Sequence, residues 1–398
     1  MERNNKYPII LVHGFMGYGD EDGVSRFLSG WGFSLTKNAV KYLNKNGYET
    51  YGPAVGPINN AWDRTCELYA RLVGGTVDYG KAHSERYGHA RYGRTYPGIL
   101  KDWGQPGDHA KIHLVGHSFG APPSRLFAEL LANGSEEERA VTPENELSPL
   151  FKGGMGGRIA SITTLAGVNN GTTLADFMKV GGSKAFQTGY LMLATLLGDS
   201  PFVSQLIDFR LDQWGVMPNT DDHKWHVKLH NPLKYMDKIR RYNENREGGI
   251  VFEMQLKNVY AFNQKVTSQP DIYYFARPAC KSHLNDKGEY VVDDDASLMA
   301  KLVGKMTVRC KDPELAQYGY SRPAWDRHDG FVNTEGGMAP YNAVSEAYAP
   351  DKDLKPGIWY TFEPKDIDHT GLMGMGQPKD AYHGYFLEIA QQLGKLPE

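Results

Sequence analysis

The sequence of 398 residues is poor in the features that would assign it to a specialised class of protein. It contains only three cysteines, Cys66, Cys280 and Cys310. Their odd number and their spacings match no metal ribbon or redox pair, so a disulfide framework does not stabilise this fold. Lysine plus arginine (44) nearly balances aspartate plus glutamate (47), and no long block of one charge occurs. Nucleic acid and other polyanions are therefore not expected as partners.

Long apolar runs are also missing. The longest candidate, residues 190–197, is far shorter than the roughly 20 residues that a membrane-spanning helix needs. No signal peptide is recognisable before the first apolar run, which begins near Tyr7. We therefore expect no transmembrane segment. We also expect either an extracellular protein in its mature form or, alternatively, a cytoplasmic one.

Buried strands alternating with amphipathic helices are the main pattern that the sequence contains. The continuous apolar runs at residues 7–12 and 111–115 are typical of strands that are buried on both faces of a parallel sheet. Further strands are predicted at three places: residues 158–165, 271–276 and 358–362. Apolar residues at helical spacing predict an amphipathic helix over residues 380–393. This order indicates an α/β fold with a mostly parallel central sheet flanked by helices.

Two stretches do not follow that alternation. Residues 59–97 are rich in glycine, tyrosine and histidine and are interpreted as an insertion with helical pieces. Residues 172–254 contain helical patterns, including the apolar run 190–197, and no pattern of a buried strand. We interpret this second stretch as a helical cap or lid. The whole chain, residues 1–398, is then one domain with two insertions.

Residues 116–120 (GHSFG) match the Gly-x-Ser-x-Gly nucleophile elbow of α/β-hydrolases, with Ser118 as the nucleophile. The motif follows a predicted buried strand and precedes a predicted helix, which is the context that the chemistry requires. A serine on such a tight turn exposes its oxygen at the top of the sheet. The start of the next helix also favours developing negative charge.

The segment His13-Gly14-Phe15 ends the first predicted strand. In α/β-hydrolases a His-Gly segment at this place supplies one amide of the oxyanion hole, and the residue after the nucleophile supplies the other. We therefore predict that the backbone N–H groups of Phe15 and Phe119 form the oxyanion hole.

The catalytic base has to follow the nucleophile and the acid along the chain. His369 lies between the predicted strand 358–362 and the last helix, where the base of this fold belongs. His383 is the rival, but it lies within the final predicted helix. We predict His369 as the base.

The acid has several candidates. Asp329 lies 40 residues before His369 and begins a polar loop with an Asp-Gly turn. Asp326 is the alternative acid. Asp366 and Asp368 are too close to His369 along the chain to reach its far ring nitrogen. We predict Asp329, which would fix the tautomer of His369 and stabilise its imidazolium form.

With these motifs in place, the chain resembles the bacterial true lipases of family I.5, the thermostable enzymes of thermophilic bacilli and their staphylococcal relatives. The similarity extends over nearly the whole length and is weakest in the middle of the predicted cap. The matching strings include VHGF at 12–15, AVGP at 54–57, WDR at 62–64, LVGGTVDYG at 72–80, GHAR at 88–91, GRTYPG at 93–98, SPLF at 148–151, GTTL at 171–174 and LDQWG at 211–215.

The resemblance implies a structural zinc ion in the insertion at residues 59–97. The matching ligands are Asp63, His83 and His89, and counting back from the strand near residue 273 places the fourth ligand at Glu253. The family has aspartate at this last position, so the extra methylene of glutamate shifts the carboxylate by about 1.5 Å. Imidazole and carboxylate donors form a set that suits zinc.

Two departures from the family pattern concern the catalytic loop and the elbow. The family binds calcium through a glutamate two residues and an aspartate seven residues after the catalytic histidine, where this chain has Gly371 and Gly376. Calcium is therefore not expected. The thermophilic members carry alanine at the position of Gly116, where this chain keeps the general glycine.

The resemblance implies a serine-dependent carboxylic ester hydrolase, a triacylglycerol lipase or esterase. Its expected substrates are acylglycerols and other hydrophobic esters at a lipid or polymer surface, with polyesters as a further class. A non-lipid esterase, a thioesterase or a peptidase on the same fold is the first alternative, because each would keep the triad and change the cleft. A non-catalytic binding module is the second, although such a module need not keep Ser118, Asp329 and His369.

Overall fold

The computed structural model describes residues 3–26, 28–107, 109–178, 208–215, 249–307, 318, 321 and 324–397. Within these residues, seven strands form one sheet: β1 (Ile9–Val12), β2 (Thr50–Tyr51), β5 (Ile112–His117), β6 (Ile159–Leu165), β7 (Tyr273–Arg277), β11 (Ser345–Ala347) and β12 (Trp359–Thr361). Their order is β11-β12-β7-β6-β5-β1-β2, and every neighbouring pair is parallel. Short pairs outside this sheet are formed by β8 (Ala279–Cys280) with β13 (Lys365–Asp366) and by β9 (Ser282–Leu284) with β10 (Tyr290–Val292).

Helices cover both faces of this sheet, because its strands alternate their side chains between two apolar cores. In β1, Ile10 and Val12 belong to one core, whereas Ile9 and Leu11 belong to the other. The described helices are α1 (Ala39–Lys45), α2 (Ala61–Val73), α3 (Lys81–Tyr87), α4 (Ala121–Asn133), α5 (Glu136–Val141), α6 (Pro149–Lys152), α7 (Thr173–Phe177), α8 (Ile250–Glu253), α9 (Leu256–Lys265), α10 (Leu298–Thr307) and α11 (Lys379–Gly394). The predicted α/β fold is confirmed.

The C-terminal helix shows why the apolar spacing was informative. Tyr382, Phe386, Ile389 and Leu393 all lie on the buried side of α11 and join the core that contains Ile9. Their side chains are each at most 3% exposed. The predicted helix over residues 380–393 therefore exists, with its apolar stripe against the sheet.

The insertion at residues 59–97 contains more than the helical pieces that we predicted. Helices α2 and α3 are present, but the insertion also contains two strands, β3 (Gly75–Asp78) between the helices and β4 (Tyr92–Tyr96) after α3. The two strands pair in antiparallel orientation. The prediction missed this pair because its sequence has no clear apolar face, and eight of its nine residues are exposed or only partly buried. Helix α3 lies between the two paired strands along the chain, so the segment that carries the histidines of this insertion is fixed at both of its ends.

The predicted cap falls largely outside the described residues, including its apolar run 190–197. The described parts are α7 at its start, residues 208–215 in its middle and α8 at its end. Arg94 of β4 forms ion pairs with both Asp208 and Asp212, which fasten the middle segment to the insertion. Among the described helices, none is long and apolar enough to cross a membrane.

Candidate active site

Ser118 lies on a sharp turn between β5 and α4. Its φ angle is 55°, a left-handed conformation that side chains rarely adopt. The turn is possible because glycines flank it. A Cβ atom at Gly116 would lie 2.6 Å from the carbonyl oxygen of Gly120, and a Cβ at Gly120 would collide with the backbone of Val12. Pro122 and Pro123 lie in the first turn of α4, where proline removes no intrahelical hydrogen bond.

Asp329 and His369 form a buried pair. The Nδ1 atom of His369 lies 2.7 Å from Oδ2 of Asp329, and the N–H of His369 donates to the carbonyl oxygen of Asp329 at 3.0 Å. The other carboxylate oxygen of Asp329 accepts the N–H groups of Phe331 and Val332, at 2.9 and 2.8 Å. Because the carboxylate accepts, Nδ1 of His369 carries a proton and Nε2 presents a lone pair.

The ring of His369 lies between two other rings, one of which belongs to the residue before the nucleophile. The ring centroid of His117, the residue before Ser118, is 4.6 Å away, and that of Phe331 is 5.1 Å away. Nε2 of His117 also contacts the carbonyl oxygen of His369 at 3.2 Å. Burial is the main reason why the pKa of His117 lies well below its usual value, and the charge of the neighbouring His369 adds to this effect. His117 is therefore neutral and can donate this hydrogen bond, a role that the sequence analysis missed.

The two rejected candidates lie elsewhere. His383 belongs to α11 and stacks on Tyr42, with 4.0 Å between the ring centroids. Asp326 ends a short 3₁₀ turn at Ala324–Asp326, three residues before the aspartate that contacts His369. The structure thus brings together Asp329 and His369 rather than either alternative.

Asp368, which we set aside as an acid, organises the loop that carries His369. One of its oxygens accepts the N–H groups of Thr370 and Gly371, each at 3.0 Å, and the other accepts the N–H of Ser297 at 3.0 Å. These bonds connect the loop to the start of α10. Gly371, at one of the two positions where the family has a calcium ligand, therefore takes part in the loop through its backbone.

The predicted oxyanion segment packs directly on the elbow. A Cβ atom at Gly14 would lie 2.6 Å from Cβ of Ser118, so only glycine allows this approach. The carbonyl oxygen of Gly14 accepts the N–H of Gly17 at 3.1 Å and contacts Nδ1 of His13 at 3.0 Å. Nε2 of His13 accepts the N–H of Val55 at 3.2 Å. His13 is thus neutral, with its proton on Nδ1, which agrees with a pKa kept well below its usual value by burial and by the charge of Arg64.

The oxyanion amide of the elbow belongs to the Ser118–Phe119 peptide. The carbonyl oxygen of Ser118 accepts the N–H of Val168 at 3.3 Å, which holds this peptide from the opposite side. Phe119 itself is fully buried, so its side chain anchors the turn in an apolar cluster with Val168 and Val332.

A second cluster of titratable groups lies in the insertion. Asp63, His83 and His89 place one ligand atom each within 4.8 Å of one another. Nε2 of His83 lies 2.8 Å from Oδ1 of Asp63, and Nε2 of His89 lies 3.8 Å from it. Burial opposes the charged form of Asp63, but the hydrogen bond from His83 and the charges of both histidines outweigh it and lower its pKa.

The donor chemistry of this cluster suits a cation. Nδ1 of His89 lies 2.9 Å from the carbonyl oxygen of Ala90, so it is the nitrogen that carries the proton. Nε2 of His89 is then a bare lone pair, and it is buried without a hydrogen-bond partner among the described residues. A cation between this lone pair and the carboxylate of Asp63 would satisfy both groups. The cluster is therefore compatible with a metal site.

Glu253, the predicted fourth ligand, does not belong to this group of three. Its Oε2 atom instead accepts the N–H of Ala61, at 2.7 Å, in the first turn of α2. Burial raises the pKa of Glu253 to about 7. Gln213, which the sequence analysis did not select, occupies the neighbouring position: its Nε2 donates to Oδ2 of Asp63 at 3.0 Å. The match of the LDQWG string, which contains Gln213, to the family was the sequence feature that could have pointed to this residue.

Comparisons with known proteins identify the family of this chain. A family model described as "Lipase-like, C-terminal domain" matches residues 5–388. Lipase 1 of Staphylococcus aureus is 33% identical over 383 residues, which are 93% of this chain and 51% of that protein. A lipase of Staphylococcus epidermidis is 32% identical, over 93% of this chain and 50% of that protein. The chain thus spans about half the length of these curated relatives.

Solved structures give the same result over the full chain. The crystal structure of Staphylococcus hyicus lipase matches with a TM-score of 0.83 and 29% identity, and the match covers 99% of this chain and 97% of that one. The structure of lipase 1 from Pelosinus fermentans matches with a TM-score of 0.75 and 32% identity, over 99% and 100% of the two chains. The chain therefore belongs to the family of lipase-like C-terminal domains, and its resemblance to the bacterial true lipases of family I.5 is confirmed.

Proposed function

We propose that this protein is a serine-dependent carboxylic ester hydrolase, a lipase or esterase that acts on acylglycerols and other hydrophobic esters. The observation that carries this proposal is the strained Ser118 turn together with the hydrogen-bonded pair of Asp329 and His369, because the ring of His369 packs on that of His117, the residue before Ser118. Membership of a lipase-like family supports the same reaction class.

The first step of this mechanism is attack of Ser118 Oγ on the ester carbonyl. Nε2 of His369 accepts the serine proton, since the bond to Asp329 keeps the other ring nitrogen protonated. His369 then delivers that proton to the leaving alcohol, and an acyl-enzyme remains on Ser118. A water molecule, deprotonated by the same nitrogen, hydrolyses the acyl-enzyme.

The negative charge that develops on the carbonyl oxygen needs fixed donors. The N–H groups of Phe15 and Phe119 are the proposed donors, each lowering the barrier by about 3 kcal/mol. Both belong to peptides whose carbonyl groups are held on the far side, Gly14 by Gly17 and Ser118 by Val168. These donors therefore need little reorganisation during the reaction.

The proposed metal of the second cluster is zinc, held by Asp63, His83 and His89, with Glu253 as the proposed fourth ligand through the carboxylate oxygen that does not accept the Ala61 N–H. When bound, zinc would supply a structural crosslink between α2, α3 and the loop after α3. The chain's own residues extend this connection to the cap, because Gln213 contacts Asp63 and the ring of Trp214 lies 4.9 Å from that of His89. Residues 59–97 are thus the proposed zinc-binding insertion.

Removing this metal is expected to lower the stability of the protein more than its catalytic rate. Prolonged chelation of the purified protein should lower its melting temperature by roughly 5 °C, because a tightly bound ligand adds about 4 kcal/mol to the free energy of unfolding. Scanning calorimetry with elemental analysis before and after chelation measures both quantities. One zinc per chain and recovery on adding zinc are expected, whereas calcium should change the melting temperature little.

A matched pair of histidine variants separates the metal from general effects. His89→Gln should lose the zinc and the stability gained from it. His283→Gln should keep both, since His283 is an exposed residue that pairs with Asp293. Purified protein without stoichiometric zinc, or equal behaviour of the two variants, would remove the metal proposal.

Residues 172–254 are the proposed lid of a single domain, and an extracellular location is proposed with it. A lid would exclude water from the Ser118 cleft until a hydrophobic substrate surface is present. The test is a panel of p-nitrophenyl esters of increasing chain length, an emulsified triglyceride, an aliphatic polyester, a thioester and an amide. We expect the highest turnover on long-chain and emulsified esters.

The same panel separates the alternatives. Preference for the thioester or the amide would favour the thioesterase or peptidase interpretation. No turnover of any member by a folded, zinc-loaded protein would favour a binding module. Reaction of Ser118 with a fluorophosphonate probe distinguishes an inactive preparation from an absent nucleophile.

A further inference from the structure

Arg64 is a buried cation that touches both halves of the oxyanion region. It lies on α2 and is fully buried. Nη1 donates to the carbonyl oxygen of Phe119 at 3.3 Å, and Nη2 donates to the carbonyl oxygen of His13. Its guanidinium carbon also lies 5.5 Å from the centroid of the Phe119 ring. One side chain therefore links the loop after β1 to the turn after β5.

The two carbonyl groups are adjacent to the proposed oxyanion donors. The His13 carbonyl belongs to the peptide immediately before the one that carries the Phe15 N–H. The Phe119 carbonyl belongs to the peptide immediately after the one that carries the Phe119 N–H. Each peptide unit is planar, and each of the two held carbonyl groups is separated from a donor amide by a single Cα atom. Holding these carbonyl groups therefore limits how far the Phe15 and Phe119 N–H groups can rotate away from the oxyanion. Arg64 thus sets the spacing and orientation of the two donors together.

The chemistry of arginine fits this task. A planar guanidinium presents several N–H donors in a fixed fork, so it can hold two acceptors from different loops in one geometry. A lysine carries a single rotatable ammonium group on a flexible stem and cannot fix both directions in the same way. Burial lowers the pKa of Arg64 to about 10, and the nearby carboxylates of Glu67 and Glu253 oppose this shift.

We propose that Arg64 is a positioning residue of the oxyanion hole, which holds the Phe15 and Phe119 amides at the separation that the transition state requires. This inference rests on the proposed ester hydrolysis. In this role Arg64 acts through the carbonyl groups of His13 and Phe119 rather than on the substrate, and its Nη2 also lies 3.3 Å from Nδ1 of His13. Its effect should therefore appear in the chemical step rather than in substrate binding.

The test is kinetic analysis of Arg64→Lys and Arg64→Gln, expressed per active site titrated with a fluorophosphonate. We expect kcat to fall about 10- to 100-fold with KM nearly unchanged, because a misplaced donor weakens only the transition state. The inhibition constant of a trifluoromethyl ketone, which forms an oxyanion on Ser118, should rise by a similar factor. Titration counts only folded, reactive sites, so partial misfolding does not obscure the result.

Arg125→Lys is the matched control. Arg125 is also buried, and it donates to Asn263 and to the carbonyl oxygen of Val266, away from the oxyanion segments. The Arg125→Lys variant should lose about as much stability as the Arg64 variants. Its kcat and its inhibition constant for the trifluoromethyl ketone should stay unchanged. Unchanged kcat per titrated site in both Arg64 variants would overturn the positioning role, with ester hydrolysis by the parent protein still standing. A parent protein that hydrolyses no ester would overturn the proposed function instead.

Discussion

Replacing Ser118 by alanine is expected to reduce kcat on a p-nitrophenyl ester by about 10⁵- to 10⁶-fold, as loss of a triad nucleophile does in serine hydrolases. The hydroxyl supplies the covalent step, and its removal takes away a single oxygen atom. Alanine also tolerates the turn about as well as serine, because both have a Cβ atom at the φ of 55°. The melting temperature should therefore stay close to that of the parent protein.

Ser161→Ala is the control for this variant. Ser161 is a fully buried serine on β6, and its hydroxyl contacts Nδ1 of His113 at 2.8 Å, within the sheet rather than at its active edge. It should lower stability and keep the turnover per titrated site. A Ser118→Ala protein that retains more than about one thousandth of the activity, after purification from a host without esterases, would show that another residue is the nucleophile.

The central sheet was predictable because its strands are buried on both faces and so have continuous apolar runs. β1 and β5 are buried at every position, and the runs at residues 7–12 and 111–115 reported them. The edge strands β2 and β11 were missed because they are short, and β11 is fully exposed. Short, exposed strands take their structure from the neighbouring strand rather than from their own apolar pattern.

In the candidate site, the motifs that directly follow a strand could be predicted from the sequence. Side chains that no motif marks and that contact residues far away along the chain could not. The elbow and the His13-Gly14-Phe15 segment each follow a strand, so sequence order placed them. Arg64 and Gln213 lie far along the chain from the groups they contact, and helical position alone does not show such contacts. The distance along the chain set Asp368 aside as the acid, but it did not show that this carboxylate accepts the N–H groups of Thr370 and Gly371 in the loop of His369.

The position of Glu253 illustrates a further limit. The resemblance places a carboxylate there, but it cannot say which neighbour a side chain one methylene longer will reach. Helix α2 begins beside it with an N–H that needs an acceptor, and the carboxylate of Glu253 accepts that group. Competition between a helix start and a metal for one carboxylate depends on distances of an ångström, which a sequence does not specify.

Replacing Asp329 by asparagine is expected to lower kcat by about 10⁴-fold, because it should impose the wrong tautomer on His369. Oδ1 of Asp329 accepts two backbone N–H groups, from Phe331 and Val332. In asparagine the carbonyl oxygen has to take that place, so the NH₂ group faces Nδ1 of His369. Nδ1 must then accept, which puts the proton on Nε2, where it can no longer take one from Ser118.

This arrangement gives the Asp329→Asn variant a signature that a simple loss of stability would not produce. The fold should survive, since the backbone hydrogen bonds to Oδ1 are kept, and proton NMR of the histidine N–H region should show the proton moving between the ring nitrogens. Asp326→Asn is the matched control, three residues away, and should retain most of the activity. If Asp326→Asn is the more damaging of the two, the acid is Asp326, and the 2.7 Å contact between Asp329 and His369 is structural rather than catalytic.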